Sequence, residues 1–451
     1  MKTRALGIAT LAAAFAAVVA APAAAEPVAK PTFTKDIAPI FQEKCEACHR
    51  TNSIAPMSLV TFEESRPWAR SIKTRVTARQ MPPWHIDKAV GVQQFTNDRS
   101  LNDDQIETIA RWVDQGAPKG DPKDMPAPKQ WPDDQSWNFA KMFGQTEPDL
   151  IVKSTPWTQK AGQNDAWWKP QVESGLTEDR WVRAIEIRPG SVKGRKITHH
   201  AIARLQQEEN DPLAQNLDPD GRPIAGTFME WAVGKQGEIM RPGSGKLMKA
   251  GAKIIWDIHY SNGGEDITDV AELGVYFYPK GQEPKFRQVL HLMGATNAGG
   301  VDIPPNQVKM TQGFFVLRQN GRIESYQPHM HLRGKAMAME AILPTGQTQV
   351  ISHVADFNFN WHNMYQFAED SAPMFPKGTI IKVTAWHDNT TANKNNPDPN
   401  VWVGYGDRTV DEMAHAWVNV TYMEDKDYEA ETEARRQRTQ RNTQQQQQQQ
   451  Q

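Results

Sequence analysis

The sequence predicts a multidomain protein in which a small all-α domain is followed by an all-β region of one sandwich or two. Before residue 126, apolar residues recur at helical spacing in two segments, around Ile37 and around Ile109. After Glu178 the pattern changes to short alternating runs separated by Gly, Pro and Asn, with almost no helical stretch between them. Runs of this length and pattern are typical of β-sandwiches. A length of 451 residues is enough for about two to four domains.

Residues 1–25 have the pattern of a secretory signal peptide. Lys2 and Arg4 precede an apolar, Ala-rich run, and Ala23-Ala24-Ala25 offers a cleavage site of small residues. No later segment is apolar enough to span a bilayer. We therefore expect a periplasmic or secreted protein with no membrane span. Removing Lys2 and Arg4 changes the formal charge from −2 to −4, which favours neither nucleic acid nor a membrane surface as a partner.

The two cysteines of the chain both stand in the motif Cys45-Glu46-Ala47-Cys48-His49. Cys-x-x-Cys-His is the attachment signal for a c-type haem, in which two thioether bonds hold the porphyrin and the histidine binds the iron. The alternatives are a disulfide and half of a zinc site. A zinc site would need a second Cys or His pair close by, and a redox dithiol would not need His49. We therefore predict covalently bound haem c, held by Cys45, Cys48 and His49.

Residues 26–125 are predicted to form a c-type cytochrome domain. One helix leads directly into Cys45, and the helix around Ile109 closes the domain. Between them, Met81 is followed by two prolines, and a thioether on such a rigid loop suits the sixth position on the iron. His85 is the rival ligand. Met81 is favoured because a resemblance to small c-type cytochromes extends through the Met-Pro loop and the closing helix.

The rest of the chain is divided by its composition. Residues 126–290 begin with a Trp- and Pro-rich segment and continue as a first β-sandwich domain, and residues 291–427 form a second. The Gln-rich tail 428–451 is expected to be disordered. Strands are predicted at Trp181 to Arg188, Ile197 to Leu205, Ile254 to Tyr260, Gly274 to Tyr278, Thr379 to His387 and Met413 to Tyr422.

Five of the 12 histidines fall in three strand contexts of the β region: His199 with His200, His259, and His329 with His331. His329 and His331 are two residues apart, so both imidazoles lie on one face of a strand and can share a metal ion. His199 and His200 are neighbours, so they can share one only at a bulge or a strand end. Imidazole without thiolate leaves copper, zinc, nickel and iron as candidates. Blue copper is excluded because no cysteine is free.

In this order, the histidines resemble the copper type II ascorbate-dependent monooxygenase family, of the peptidylglycine α-hydroxylating and dopamine β-monooxygenase type. The similarity covers roughly residues 148–423, and the motifs that carry it are His199-His200, His259-Tyr260, His329-x-His331-Leu-x-Gly334 and Asp411-Glu412-Met413. The resemblance implies tandem jelly-roll-like sandwiches with one copper ion each. His199, His200 and His259 would hold the electron-transfer copper. His329, His331 and Met413 would be the catalytic set that holds the copper at which dioxygen is activated, since a thioether favours copper(I).

Three departures from the family concern its disulfides and its substrate. The disulfides are absent, as the cysteine count requires. Gln327 stands where the animal peptide hydroxylase has an arginine for the substrate carboxylate. His415 and Trp417 stand where that enzyme has an asparagine and a tyrosine, and we expect them to line the cleft.

The resulting expectation is a haem–copper monooxygenase that hydroxylates a small, uncharged or aromatic molecule with dioxygen. A periplasmic donor would supply electrons, and the haem would relay them to the first copper. One alternative is a haem–copper electron-transfer protein or oxidase without organic hydroxylation, and another is a copper-binding module without enzymatic activity.

Overall fold

The computed structural model describes residues 30–51, 53–131, 136–217, 223–232, 235, 237–296 and 299–449. The predicted signal peptide, residues 1–25, lies outside them. In the described part the chain is mainly β-structure with few helices, which confirms the predicted β-rich character. The α-helices are α1 (Ala38–Lys44), α2 (Phe62–Ser65), α3 (Ala69–Thr77), α4 (Asp103–Asp114), α5 (Gly194–Ile197) and α6 (Asp425–Gln449), and shorter helical turns cover Phe33–Ile37, Arg66–Trp68, Pro122–Asp124 and Lys141–Phe143.

Each of the six predicted strand runs overlaps a strand of the structure. The strands are β1 (Leu150–Lys153), β2 (Trp157–Gln159), β3 (Ala166–Trp168), β4 (Gln171–Glu173), β5 (Arg180–Pro189), β6 (Thr198–Gln206), β7 (Asn216–Leu217), β8 (Pro223–Ile224), β9 (Gly226–Ala232), β10 (Glu238–Ile239), β11 (Ser244–Met248), β12 (Lys253–Tyr260), β13 (Ile267–Asp269), β14 (Ala271–Phe277), β15 (Phe286–Ala295), β16 (Asp302–Ile303), β17 (Val308–Val316), β18 (Asn320–His329), β19 (Gly334–Ile342), β20 (Thr348–Val354), β21 (Tyr365–Gln366), β22 (Met374–Phe375), β23 (Ile380–Asp388), β24 (Val403–Gly404) and β25 (Ala414–Met423).

The N-terminal helices have a core of their own. Phe33, Phe41, Ile109 and Trp112 are buried in it, and the rings of Phe33, Phe41 and Trp112 contact one another. α1 ends one residue before Cys45, so the helix leads directly into the cysteine motif as the sequence predicts. This part of the chain can therefore hold its shape through its own apolar contacts.

One long sheet runs through the β region. Its strand order is β1-β14-β5-β11-β15-β25-β18-β21, with β10 beside β5 and β22 beside β18. All the neighbours along it are antiparallel except β11 and β15, which are parallel where Ser244 faces Phe286. Two smaller sheets pack against its two halves. Their strand orders are β3-β12-β6-β9, with β4 beside β12, and β17-β23-β19-β20.

Each half of the long sheet contributes to a separate hydrophobic core. Ile185 of β5 and Leu273 of β14 share the first core with Trp256 of β12. Ile323 of β18 and Val418 of β25 belong to the second, larger core. The β region is thus built around two sandwich cores joined by one continuous sheet.

The predicted boundary between the two sandwich domains is wrong in position. Residues 290 and 291 lie in the middle of β15, which pairs with β11 on one side and with β25 on the other. Domain boundaries fall in exposed linkers that few contacts cross, whereas residues 288–295 pair with β25 throughout. The second smaller sheet begins only at Val308, the first residue of β17.

Residues 84–97 belong to the predicted cytochrome domain by sequence, yet they pack on the second sandwich. Trp84 and Ile86 are buried in the larger core. The backbone N–H of Val92 donates to the carbonyl of Ile351 (2.9 Å), and that of Thr96 to the carbonyl of Gln366 (2.9 Å). One segment of the predicted domain 26–125 therefore packs against the second sandwich.

The tail predicted to be disordered is helical as far as Gln449, so that prediction is wrong over residues 428–449. Its Glu, Arg and Gln residues are favourable helix formers, which a judgement based on low complexity overlooks. Arg435 also fixes the helix by donating to the carbonyls of Ala372 (2.6 Å) and Glu369 (3.0 Å). Among the described residues, no helix is both long enough and apolar enough to cross a membrane.

Candidate metal centre and haem-binding motif

A β-bulge brings His199, His200 and His259 together. β6 and β12 are antiparallel neighbours in which His200 faces His259 and Thr198 faces Tyr260, so His199 is the extra residue of the bulge. The bulge lets two adjacent side chains reach the same side of the sheet, as the sequence argument requires. Nδ1 of His199 lies 3.1 Å from Nδ1 of His200. One potential ligand atom from each of the three imidazoles lies within 4.8 Å of the others.

Two neighbours fix the ring of His259. Its Nε2 donates a hydrogen bond to Oδ2 of Asp165 (2.9 Å), which leaves Nδ1 without a proton. The indole of Trp167, opposite His259 on β3, stacks on the imidazole with ring centroids 4.5 Å apart. A histidine whose second nitrogen is held by a carboxylate is the usual arrangement at a metal site.

The three imidazoles are neutral at neutral pH. Burial lowers the pKa of His199 to about 4, with a further contribution from His259. Burial also lowers the pKa of His200 well below its ordinary value, and that of His259 to a smaller extent because Asp165 opposes the effect. A neutral imidazole keeps the lone pair that a metal ion needs.

His329 is the last residue of β18 and His331 lies two residues beyond it, with ring centroids 5.2 Å apart. Nδ1 of His331 donates to the carbonyl oxygen of Asp411 (3.0 Å), so its Nε2 can accept a metal ion. Burial lowers the pKa of both rings. Met413 directly precedes β25, and its carbonyl accepts a hydrogen bond from Nε2 of His387 (3.0 Å).

The buried carboxyl of Glu412 connects the two strand ends of the second set. It accepts hydrogen bonds from the backbone N–H groups of His331 (2.8 Å) and Arg333 (2.6 Å). Burial raises its pKa to about 8, against the opposing effect of these hydrogen bonds. The Asp411-Glu412-Met413 segment is thus held against the His329–His331 turn by defined contacts.

The two sets are close neighbours in space. The ring of Phe359 lies between them, 5.1 Å from that of His199 and 5.9 Å from that of His331. The sequence gives no measure of this separation because the sets lie on strands of different sandwiches.

His362 is a residue of the site that sequence reasoning missed. It lies between the two sets, with its ring centroid 5.8 Å from that of His199 and 4.8 Å from that of His329. Its Nδ1 is 3.1 Å from Nδ1 of His329, and its buried Nε2 has no hydrogen-bond partner. A lone histidine in an aromatic loop has no periodic pattern, so its only signal is the run Phe359-Asn360-Trp361-His362.

His415 and Trp417 do not line an open cleft, contrary to expectation. They are 2% and 4% exposed and pack against His329, with ring centroids 4.9 Å and 4.7 Å away. Among the described residues, neither ring nitrogen of His415 has a hydrogen-bond partner. Both side chains pack against the imidazole of His329.

Gln327 is already committed to hydrogen bonds inside the protein. Its amide donates to Oε2 of Glu230 (2.5 Å) and accepts from Nζ of Lys235 (3.2 Å). Lys235 also pairs with Glu238 (2.9 Å), which in turn pairs with Lys246 (2.8 Å). The two lysines and two glutamates balance in charge, so this described cluster offers no surplus cation next to Gln327.

Within the cysteine motif, a hydrogen bond orients the ring of His49. Nδ1 of His49 donates to the carbonyl of Met57 (3.3 Å), which leaves Nε2 free to bind. Cys45 and Cys48 are not joined by a disulfide. Burial raises the pKa of the Cys45 thiol to about 12, with Cys48 adding to the effect.

The loop that carries Met81 and His85 docks on the segment that carries His362. The side chain of Asn363 donates to the carbonyl of Pro83 (2.9 Å). The hydroxyl of Tyr365 accepts from the backbone N–H of His85 (3.2 Å), and its ring packs edge-on against Trp84, with centroids 4.7 Å apart. A cavity of about 670 Å³ extends along the same junction, and its wall includes both Cys48 and His362. The cysteine motif and the histidine cluster thus border one space.

Comparison with known proteins does not assign the chain to a family. No family model matches the chain, and no curated protein matches it. Among solved structures, the VP2 subviral particle of infectious bursal disease virus is similar over 65% of this chain and 74% of its own, at 10% identity and a TM-score of 0.17. A putative α-L-fucosidase from Bacteroides ovatus is similar over 66% of this chain and 41% of its own, at 8% identity and a TM-score of 0.13. Similarities this weak carry no argument about fold or function.

Proposed function

We propose that this chain is an exported haem–copper monooxygenase, which converts RH, dioxygen, two electrons and two protons into ROH and water. The observation that carries the proposal is the placement of the His199–His200–His259 group directly beside His329 and His331. Two sets of neutral imidazoles of different composition suit a pair of copper ions with different tasks.

The donor atoms of the first set fit one copper ion. Two nitrogens bound to the same tetrahedral ion at about 2.0–2.1 Å are about 3.3 Å apart, close to the 3.1 Å between the Nδ1 atoms of His199 and His200. His259 adds a third nitrogen on the same side of the sheet. In the second set, the imidazoles of His329 and His331 and the thioether of Met413 would hold the other ion, where the thioether favours copper(I).

Copper bound at these sets supplies single-electron transfer and the activation of dioxygen. The chain's own residues orient the ligands. Asp165 fixes the tautomer of His259, and the carbonyl of Asp411 fixes that of His331. Phe359 fills the space between the sets with an apolar ring. Low pKa values keep the imidazoles deprotonated, so they do not compete for the protons that the reaction consumes.

The residues of the cysteine motif fit a c-type haem. Cys45 and Cys48 are not joined by a disulfide, so their sulfurs could form the two thioether bonds, and Nε2 of His49 could bind the iron. Haem attached at Cys48 would border the cavity that His362 also borders. The contact of Asn363 with Pro83 adds a short bonded path between the Met81 loop and the histidine cluster. We infer that the haem passes electrons to the copper sites through this junction, with Met81 as the sixth ligand and His85 as its rival.

The experiment that tests the function is single-turnover hydroxylation. The mature protein, loaded with copper and haem and fully reduced, is exposed to ¹⁸O-labelled dioxygen with a panel of small uncharged aromatic and aliphatic compounds. We expect mass spectrometry to find one labelled oxygen atom in the product, and His331→Ala to lower the yield by about two orders of magnitude or more. His353→Ala is the control, since His353 lies in the second sandwich outside the cluster and pairs with Asp87 (3.6 Å). Dioxygen consumption with no labelled product would favour the oxidase instead.

A further inference from the structure

His362 occupies the position of a metal ligand that the resemblance to known copper monooxygenases does not supply. It is 4% exposed, at the end of a loop whose turn is fixed by the hydrogen bond from the Trp361 N–H to the carbonyl of Asn358 (3.0 Å). The loop places the imidazole against His329 and not against solvent. A buried imidazole normally satisfies both ring nitrogens, yet Nε2 of His362 has no partner in the described structure.

The distance between His362 and His329 is that of two ligands on one ion. Their Nδ1 atoms are 3.1 Å apart, the same distance as between the Nδ1 atoms of His199 and His200. A hydrogen bond between two neutral imidazoles would explain this contact alone. It would not use Nε2 of His362, which is buried without a partner among the described residues. An imidazole with an unpartnered buried nitrogen, set against a second imidazole at the spacing of two ligands, is a candidate metal ligand.

We propose that His362 is a copper ligand that shares the second ion with His329. This inference rests on the proposed function, and it adds an imidazole to the His329, His331 and Met413 set. Because Asn363 is bonded to Pro83, the same ligand also places the second copper at the junction with the haem-bearing part of the chain. Electrons from the haem would then enter near the second site as well as the first.

Copper binding without turnover tests the inference. Mature protein and its His362→Gln variant are titrated with copper against a competing chelator, and the oxidised protein is examined by pulsed EPR to count coordinated imidazoles. We expect His362→Gln to weaken one of two coppers by at least about tenfold and to remove one imidazole from its spectrum. We also expect His362→Gly to regain affinity when free imidazole is added, since the residue borders a cavity. An unchanged haem spectrum and an unchanged first copper would confirm that the variants are folded.

Matched variants separate this inference from the function itself. His353→Gln should bind both coppers normally, because its ring lies outside the cluster. If His331→Ala and His200→Ala lose copper while His362→Gln binds both ions with normal affinity and spectrum, the inference is wrong and the proposed function stands. If none of these variants changes copper binding, the inference and the proposed function both fail.

Discussion

Asp165 determines which nitrogen of His259 faces the other two histidines of the first set. Its carboxylate can only accept a hydrogen bond, so Nε2 of His259 must carry the proton and Nδ1 must present its lone pair. Rotating or re-protonating the ring would remove one of the three ligand atoms that lie within 4.8 Å of one another. A residue outside the ligand set thus controls whether the set is complete.

Replacing Asp165 with alanine should weaken copper binding at the first set by about 10- to 100-fold. The free energy of unfolding of the copper-free protein should change little, because Asp165 is 40% exposed. Competitive titration with a copper chelator measures the affinity. Glu265→Ala is the control, since Glu265 is exposed nearby and pairs with Lys193 (2.9 Å). Equal copper affinity in the two variants would show that Asp165 does not position His259.

Gln327 bears on the choice of substrate. A charge-assisted hydrogen bond from an arginine contributes about 1.5–3 kcal/mol, so its absence should weaken carboxylate binding by about one to two orders of magnitude. Gln327 is bonded to Glu230, and Lys235 is paired with acidic groups, so neither replaces the lost cation. If the proposed function holds, we therefore expect the purified protein to hydroxylate uncharged or aromatic molecules and not glycine-extended peptides. Efficient hydroxylation of such peptides, measured by mass spectrometry, would contradict this expectation.

The contrast between His199 and His362 shows what the sequence can and cannot predict at this scale. Adjacent histidines can share a metal only at a bulge or a strand end, and a bulge is present at His199. His362 lies in an irregular loop, 33 residues from His329, and no periodicity relates the two. Its place is determined by contacts of the loop with residues 83–85, which are about 280 positions away in the chain.

At the level of elements, alternating apolar residues predict where strands lie. They do not predict which strands pair with each other. β5, β6, β12, β23 and β25 lie within one or two residues of the predicted runs. The parallel pairing of β11 with β15 has no local signal, so the sequence places a boundary inside β15. The docking of residues 84–97 was missed for the same reason, since their partners lie in β20 and β21.

The docked Met81 loop leads to a prediction about electron transfer. In Asn363→Ala the hydrogen bond to the Pro83 carbonyl is lost, so the loop and the histidine cluster lose one bonded contact. We expect the reduced haem to be reoxidised by the copper sites severalfold more slowly, with unchanged copper content. Stopped-flow absorbance of the haem measures this rate.

Asn360→Ala is the matched control for Asn363→Ala, because Asn360 lies in the same loop with an exposed side chain. It should keep the rate of the unmodified protein. Equal rates in all three proteins would exclude this contact as part of the electron path.

For the whole molecule, the continuous sheet determines the distance between the two histidine sets. β6 and β12 pack on one half of the long sheet, and β18 and β25 belong to the other half. The backbone pairing through β11 and β15 joins the halves, so the sets cannot separate without breaking main-chain hydrogen bonds.

Buried neutral histidines should make the copper-free protein unstable towards acid. Burial lowers the pKa of His291 to about 4. It also lowers the pKa values of His199, His362 and His415. Between pH 6.5 and about 4 the unfolded chain binds protons at these rings and the folded chain does not, so the free energy of unfolding falls as the pH falls. Each such group should contribute about 2 kcal/mol of lost stability between pH 7 and pH 5.

His291 allows this effect to be measured away from the metal sets. Its Nε2 is bonded to the hydroxyl of Tyr422 (2.8 Å), and burial alone lowers its pKa. Glutamine at position 291 can keep a hydrogen bond to Tyr422 but cannot take up a proton. In urea unfolding at pH 7, 6 and 5, we expect the copper-free His291→Gln variant to lose about 2 kcal/mol less stability than the unmodified protein. If the two proteins lose equal stability, His291 takes up a proton as readily in the folded state as in the unfolded chain. Its burial would then not hold the ring neutral.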